Sequence, residues 1–427
     1  MSAHHATPAR LSPAEHGIRP DGIDADSIEV VGRLQSAGFH AFLVGGCVRD
    51  LLLGFEPKDF DVATNATPDE VKSVFRRARL VGRRFRIAHV RFGRNIIEVS
   101  TFRKTESEGV ELDSTGMILS DNEYGSLEED AWRRDFTINA LYYDPIGGEL
   151  LDYVGALTDL REQRIAFIGT TSVRLAEDPV RALRALRFQA KLRFQLCSTI
   201  LEALPDAALR LQAVPSARLF EEFNKLFLLG YAHAAWTAIS ATPLHRILFP
   251  CTPPNSEIVS EAMQNTDARI AAEKPATPGF LIAVLLWQDY AARVQELSAT
   301  HPAAVAGELA AEQCIAHQST IIAIPRRFSL FAREVWSLQP RLTERQPRFI
   351  ERVHTHKRFR AAYDLLELRA RIDPTLQDVF DWWTHYQAEP ASRPELVSSL
   401  PVESHPRKPR WRRRKSRSNL PAQTSES

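Results

Sequence analysis

"FLVGGCVRDLLLGFEPKDFDVATN", residues 42–65, brings a glycine pair, an arginine and two aspartates into one short span. Side chains alternate across a strand, so carboxylates at i and i+2 of an extended segment point to the same side. A strand through "DFDVAT" therefore sets Asp59 and Asp61 next to each other. Two adjacent carboxylates repel unless a cation lies between them. Mg²⁺ suits that place, being a hard ion that takes oxygen ligands and often shares its shell with substrate phosphates.

The glycines fit the same chemistry. "HAFLV" predicts a short buried strand, and Gly45-Gly46 lets the backbone approach a ligand before "CVRDLLLG" starts a helix. Backbone N–H groups at such a turn can hold phosphate, and Arg49 can add a charged contact. The span is not a P-loop, because the glycine-lysine-serine/threonine ending is missing. A lone Asp-x-Asp is usually a turn or a cap; the ordered combination carries the signal.

At 427 residues, with 44% hydrophobic and 25% charged side chains, the chain reads as a soluble globular protein of several domains. Its cysteines (Cys47, Cys197, Cys251 and Cys314) lie far apart and form no Cys-x-x-Cys. That spacing suits a reducing cytoplasm and argues against a disulfide framework or a zinc site. The opening "MSAHHATPARLSPAEHGIRPDG" lacks the apolar core of a secretory signal, and residues 1–25 are expected to be disordered. The longest uncharged run, "LFLLGYAHAAWTAISATPL", is interrupted by Gly230, His233, Ser240 and Pro243, which predicts buried helix and turn rather than a membrane span.

The net charge of +1 conceals a segregation. "RKPRWRRRKSR" carries eight basic residues and no acid, which leaves −7 on the rest of the chain. One reading is a solvated, disordered end, expected over residues 398–427. The other is a nucleic-acid-binding arm in which Arg407, Lys408, Arg410, Arg412, Arg413, Arg414, Lys415 and Arg417 displace counterions and Trp411 stacks on a base. So dense a run favours the second, and it supplies affinity without sequence specificity.

Near residue 175 the chain changes character. Before it, "SIEVVGRLQSAG" and "TPDEVKSVFRR" read as helices, the second capped by Thr67 with Pro68 following. "AHVRFGRNIIEVSTF" reads as a β-hairpin through Gly93-Arg94-Asn95. After it, the pattern is helical nearly throughout, as in "SARLFEEFNKLFLLG" and "FRAAYDLLELRARI". The expected fold is an α/β head, a small mixed sheet with helices, followed by a mostly α-helical neck and body. The expected bounds are 26–172 for the head, 173–235 for the neck and 236–397 for the body. Residues 104–126 are polar and aperiodic, either a mobile flap over the site or plain disorder.

Two further stretches carry chemistry. In "EEDAWRRDFTINALYYD", Arg133, Arg134, Asp135 and Asn139 follow a helix opened by Ser126. Taken alone, such a group is usually a surface salt bridge. Downstream of a metal pair, it offers cations for phosphate oxygens and a polar group for a ribose. In "AEDPVRALRALRFQAKL", Asp178-Pro179 predicts a helix start, and Arg181, Arg184 and Arg187 form a cationic stripe. The plain reading of that stripe is a solvated face. The sharper one is that Asp178 accepts from an exocyclic amine while Arg181 donates to the adjacent ring nitrogen. That pair suits adenine and cytosine equally and rejects guanine and uracil.

"LVGGCVRD", "DFDVAT", "RRDFTINAL" and "EDPVRALRALRF" together resemble the successive motifs of class II nucleotidyltransferases, the family of bacterial poly(A) polymerases and CCA-adding enzymes. The resemblance is dense over residues 40–195. It implies a nucleotidyltransferase head, a neck that reads the incoming base and a body that holds RNA. It assigns Asp59 and Asp61 to two Mg²⁺ ions, with Glu98 as a third acid beside them. Gly45, Gly46 and Arg49 fall on the triphosphate loop. Arg134, Asp135 and Asn139 fall on the motif that meets sugar and phosphates, with Asp135 counted as catalytic beside Asp59 and Asp61. Asp178, Arg181 and Arg184 fall on the base-reading helix. Cys47 stands where many relatives have glycine or alanine.

Within the family, "LVGRRFRIAHVRFG", "HKRFRAAYDLLELRA" and the arginine-rich end resemble the poly(A) polymerase branch. That implies ATP as substrate, RNA 3′ ends of broad sequence as acceptor, and RNA-decay machinery as a partner class. A CCA-adding enzyme is the alternative, and a non-catalytic RNA-binding protein on the same scaffold is a remote one. The near-neutral charge is a mild departure from a sequence-blind RNA binder.

Overall fold

The computed structural model describes residues 7–82, 86–104, 111–112, 118–120 and 124–400. The arginine-rich stretch from Arg407 to Arg417 lies outside them. The chain divides into two compact units between residues 337 and 338, inside the helix Arg326–Glu344. No boundary between compact units falls at the expected limits near 172 and 235.

The head is built on strands β1 (Ala9–Leu11), β2 (Ala41–Val44), β3 (Asp61–Thr64), β4 (Arg79–Val81), β5 (Ile87–Phe92) and β6 (Asn95–Thr101). A short separate ribbon, β7 (Glu111–Leu112) with β8 (Ile118–Ser120), comes next; the rest of the expected flap over 105–123 lies outside the described residues. Strands β9 (Leu141–Asp144) and β10 (Glu149–Asp152) complete an eight-stranded mixed sheet in the order β1-β10-β9-β2-β3-β6-β5-β4. The β5–β6 hairpin turns through Gly93 and Arg94, with Gly93 at φ +56° and Asn95 already paired to Phe92. The turn is thus one residue shorter than expected.

The N-terminal segment departs from expectation. Residues 9–11 pair with β10, α1 (Pro13–His16) follows, and the His16 ring nitrogen Nε2 lies 3.0 Å from the Gly148 carbonyl oxygen. Backbone pairing and this side-chain tie order a stretch whose polar composition alone predicts disorder.

Helices α2 (Ala25–Ser36), α3 (Gly46–Leu52) and α4 (Pro68–Val74) come from the first half of the head. Helices α2 and α4 cover one sheet face, burying Val30, Val31, Leu34 and Val71 against Val62, Ile97 and Val99. Thr67 caps α4 as expected, its hydroxyl accepting from Glu70 N–H while Glu70 returns to Thr67 N–H. Helix α5 (Leu127–Arg133), opened by the same reciprocal arrangement of Ser126 and Glu129, brings Ala131 into a core with Val44, Ala63, Phe102, Tyr142 and Leu151. That core covers the β2–β3–β9 part of the second face.

Beyond the sheet come α6 (Ala156–Arg161), α7 (Thr171–Glu177), α8 (Val180–Leu192), α9 (Ser198–Leu211), α10 (Ser216–Phe227) and α11 (Ala232–Ser240). The remainder is helical, as the sequence predicts. In α10, Leu219, Phe223, Leu226 and Phe227 are buried, and Phe223 meets Phe227 edge to face. The second unit has its own core, in which buried Trp383 donates to the Leu342 carbonyl at 2.9 Å. Among the described residues, no helix is long and apolar enough to cross a membrane. All four cysteines are free.

The turn into α6 depends on one buried side chain. Asp152 accepts from the N–H groups of Val154, Gly155 and Ala156 through Oδ1 and from Leu157 through Oδ2. Asp152→Ala leaves these donors without their acceptor and should cost about 2–3 kcal/mol, read as a fall in Tm.

Candidate active site

The sheet register assembles the carboxylates. In the pairing of β3 with β6, Asp61 stands opposite Glu98, and in the pairing of β2 with β3 it stands opposite Val44. Strand β3 begins at Asp61, so Asp59 lies in the segment before it rather than on the strand itself. Its charge still reaches Asp61. Asp61 keeps part of its surface exposed, yet its carboxyl is pushed up to about 6: the atoms around it strip part of its hydration, Glu98 and Asp59 add like charge, and Arg134 offsets part of this. Beside it, burial pushes the Cys47 thiol up to about 11 and keeps it protonated.

Arg134 ends α5 and is braced from behind. Its Nε and Nη2 donate to Asp130 Oδ2 at 3.2 and 3.0 Å, and Nε also donates to the Tyr142 hydroxyl at 2.9 Å. Burial opposes its charge, but Tyr142 and Asp130 outweigh burial and hold the guanidinium protonated. A Cβ placed on Gly45 would lie 3.7 Å from Nη1, so this end of Arg134 faces the glycine turn. Gly45 itself sits at φ +81°, a conformation that glycine adopts without strain.

Arg49 departs from the phosphate-facing role expected of it. It is 2% exposed, with Nε and Nη2 on Asp50 Oδ1 and Nη1 on Asn139 Oδ1 at 2.5 Å. The second Asp50 oxygen accepts from Lys191 of α8 at 2.9 Å. Arg49 is therefore a strut joining the turn, Asn139 and α8. With Asn139 held by Arg49, neither side chain is free as the sequence suggests.

Asp135 faces the neck arginines. Its Oδ1 accepts from Arg181 Nε, and Arg184 Nε lies 2.8 Å from its Oδ2. Burial would raise its carboxyl, but Arg184 and Arg181 outweigh burial and hold it below the ordinary range. It is not among the charges acting on Asp61. The arginine stripe of α8 thus turns inward: Arg181 and Arg184 meet Asp135, and Arg187 lies 3.9 Å from buried Glu222. The solvated-face reading fails because half-buried Asp135 and buried Glu222 draw these cations in.

Helix α8 starts at Val180, two residues after the expected cap, yet Asp178 Oδ1 still accepts from Val180 N–H. Its Oδ2 accepts from Arg218 of α10 at 2.5 Å. Arg181 also gives Nη1 to Glu177 and to the Arg174 carbonyl. Asp178 and Arg181 are neighbours, with Arg181 N–H donating to the Asp178 carbonyl. The braces Asp50, Asp130, Tyr142, Lys191 and Arg218 are set by tertiary contacts. Only Asp50, adjacent to Arg49, left a local signal.

The donor set suits a hard cation: oxygen ligands, crowded like charge, and a nearby arginine already committed elsewhere. Among the described residues, no three His, Cys, Asp or Glu side chains enclose a metal by themselves. An ion at Asp59 and Asp61 would thus keep coordination positions for water or phosphate, the habit of Mg²⁺.

Three family models match the chain: the poly A polymerase head domain over residues 41–166, the probable RNA and SrmB-binding site of polymerase A over 193–254, and the polymerase A arginine-rich C-terminus over 299–418. Poly(A) polymerase I of Salmonella typhi is 42% identical over 422 residues, covering 94% of this chain and 90% of that one. A CCA-adding enzyme of Bacillus pumilus is 37% identical over 222 residues, covering 52% of this chain and 54% of that one. The crystal structure of the Bacillus stearothermophilus CCA-adding enzyme in complex with CTP shares the fold, with a TM-score of 0.57, 24% identity, and coverage of 83% of this chain and 81% of that one.

The raised Asp61 carboxyl gives a stability prediction. Its native value near 6 exceeds the ordinary 3.8, so the cost of ionising it grows from pH 4 to 6 and is full above that. Without divalent cations, Asp61→Asn should raise Tm at pH 7–8, and the gain should vanish near pH 4. Screening by solvent at this open site limits the gain to about 1 kcal/mol. Taken together, the motifs, the sheet and the full-length match show that the chain belongs to the poly(A) polymerase family of nucleotidyltransferases.

Proposed function

We infer that the chain adds AMP from ATP to RNA 3′ ends without a template. The observation that carries this reading is the extent of the likeness: the poly(A) polymerase relative matches 94% of the chain, the CCA-adding relative only 52%. The tails made in this way are expected to feed RNA-decay machinery.

Asp59 and Asp61, with Glu98 beside them, are the residues that would hold two Mg²⁺ ions. When bound, such ions lower the pKa of the attacking 3′-hydroxyl and neutralise the departing pyrophosphate. The protein's own groups do the rest. The turn at Gly45-Gly46 receives the triphosphate, and Arg134, held rigid by Asp130 and Tyr142, supplies a fixed cation beside it. Arg49 and Asn139 hold the turn and α8 in place. Asp135 fixes Arg181 and Arg184 and acts as a positioning residue.

Asp178 and Arg181 separate adenine and cytosine, which they suit equally, from guanine and uracil. Each Asp178 oxygen keeps a free lone pair after its bond to Val180 or Arg218, enough to accept from the adenine N6 amine. Arg181 donates to N1. Guanine presents a protonated ring nitrogen and is refused.

The test is extension of a generic RNA with Mg²⁺ and each nucleoside triphosphate separately, sized on a gel. A long ladder with ATP alone supports the reading. Addition of a few C and A residues, confined to tRNA lacking its end, overturns it in favour of CCA addition. Asp61→Ala should lower AMP transfer by roughly a thousandfold or more with the fold intact, the scale of losing a few kcal/mol of charge stabilisation. Arg181→Ala should narrow the preference for ATP over GTP; unchanged discrimination removes the base-reading role.

A further inference from the structure

From Phe75 to Ile97 the chain holds eight arginines and no acidic residue. Its described residues, which carry six of these arginines, form the β4–β5 edge of the head and the start of β6, next to the carboxylates. Its strands alternate. Ala88 and Val90 of β5, and Ile97 and Val99 of β6, are buried, whereas Arg91, Ile96 and Glu98 are exposed on the opposite face. Helix α5 covers only the inner part of that face, through Ala131 against Val44 and Ala63.

Cross-strand register makes one row of this open face. Asp61 stands opposite Glu98, Glu98 opposite His89, and His89 opposite Arg79. Residues directly opposite in neighbouring strands share a face, about 5 Å apart. Charge therefore changes sign along the row, from two carboxylates through His89 to an exposed arginine. His89 Nε2 lies 3.4 Å from Glu98 Oε1 and closes the acidic end. Arg79, and Arg91 two residues beyond His89, are exposed, and neither side chain makes an ion pair or hydrogen bond among the described residues. Arg76, Arg77, Arg86 and Arg94 are exposed around them.

We propose that this open face is the track along which the 3′-terminal segment of the RNA reaches the carboxylates, with Arg79 and Arg91 contacting its backbone phosphates. The proposal rests on the polymerase reading above and adds the side from which the acceptor strand arrives. A site of clustered carboxylates repels a polyanion, so a phosphate-bearing strand needs compensating cations close by. The strip supplies them in register with the site, on the part of that face that α5 leaves uncovered among the described residues. The arginines can read phosphates but not bases, which matches an acceptor of broad sequence. Ile96, 40% exposed beside Glu98, adds an apolar surface for a terminal base.

The experiment compares the full-length chain with its Arg79→Ala/Arg91→Ala variant, measuring KM for an RNA oligonucleotide, KM for ATP and the salt dependence of RNA binding. Both residues are exposed, so the variant is expected to fold, and circular dichroism checks this. The expected result is a rise of about tenfold in KM for RNA with KM for ATP within twofold. The slope of log affinity against log salt should fall by about 1.4, for two lost phosphate contacts on a single strand. Unchanged RNA affinity and slope would overturn the proposal, as would an equal rise in both KM values. Failure of the unaltered chain to extend RNA with ATP would instead overturn the polymerase reading, so the two failures are distinct.

Discussion

Repulsion among Asp59, Asp61 and Glu98 is the constraint around which the head is arranged. Asp61 opens a central strand, and the register of β3 with β6 leaves Glu98 no other place than beside it. A folded protein keeps such a cluster only if its backbone is fixed by stronger interactions elsewhere. Here these are the buried faces of the sheet, with α2 and α4 on one side and the Ala131–Phe102–Tyr142 core on the other. Arg134 relieves part of the repulsion but is pinned by Asp130 and Tyr142, so it cannot collapse onto the carboxylates. The carboxylates remain short of positive charge, which is what the proposed binding of metal and triphosphate requires.

Helix α8, which carries the proposed base-reading residues, is tied to this cluster by ion pairs. Asp135 lies one residue after Arg134 and clasps Arg181 and Arg184, while Asp50 lies one residue after Arg49 and meets Lys191. In each case an arginine of the head faces the site or the glycine turn while the adjacent aspartate anchors α8. The proposed base-reading and phosphate-binding groups thus share a rigid frame, which favours near-attack geometry over adjustment after binding.

Much of this was legible in the sequence where the signal is local. Periodicity and capping found α2, α4, α5 and α10, and the i, i+2 spacing of Asp59 and Asp61 pointed to crowded carboxylates, although the strand starts only at Asp61. What escaped was set by distant partners. Arg49 reads as a phosphate ligand until Asp50 and Asn139 bury it, and the α8 stripe reads as either a solvated face or base-reading groups, with no sign that Asp135 and Glu222 turn it inward. The order of residues 9–16 depends on pairing with β10, far away in the chain, which no local pattern announces.

The most direct test of the central claim is a carbon-detected NMR titration of the Asp61 carboxyl, with and without Mg²⁺. The expected result is a midpoint near 6 in the metal-free protein and a clear fall when Mg²⁺ is added, as the ion replaces the proton. An ordinary carboxylate midpoint, unmoved by Mg²⁺, would contradict the claim that these carboxylates form a charge-crowded metal site.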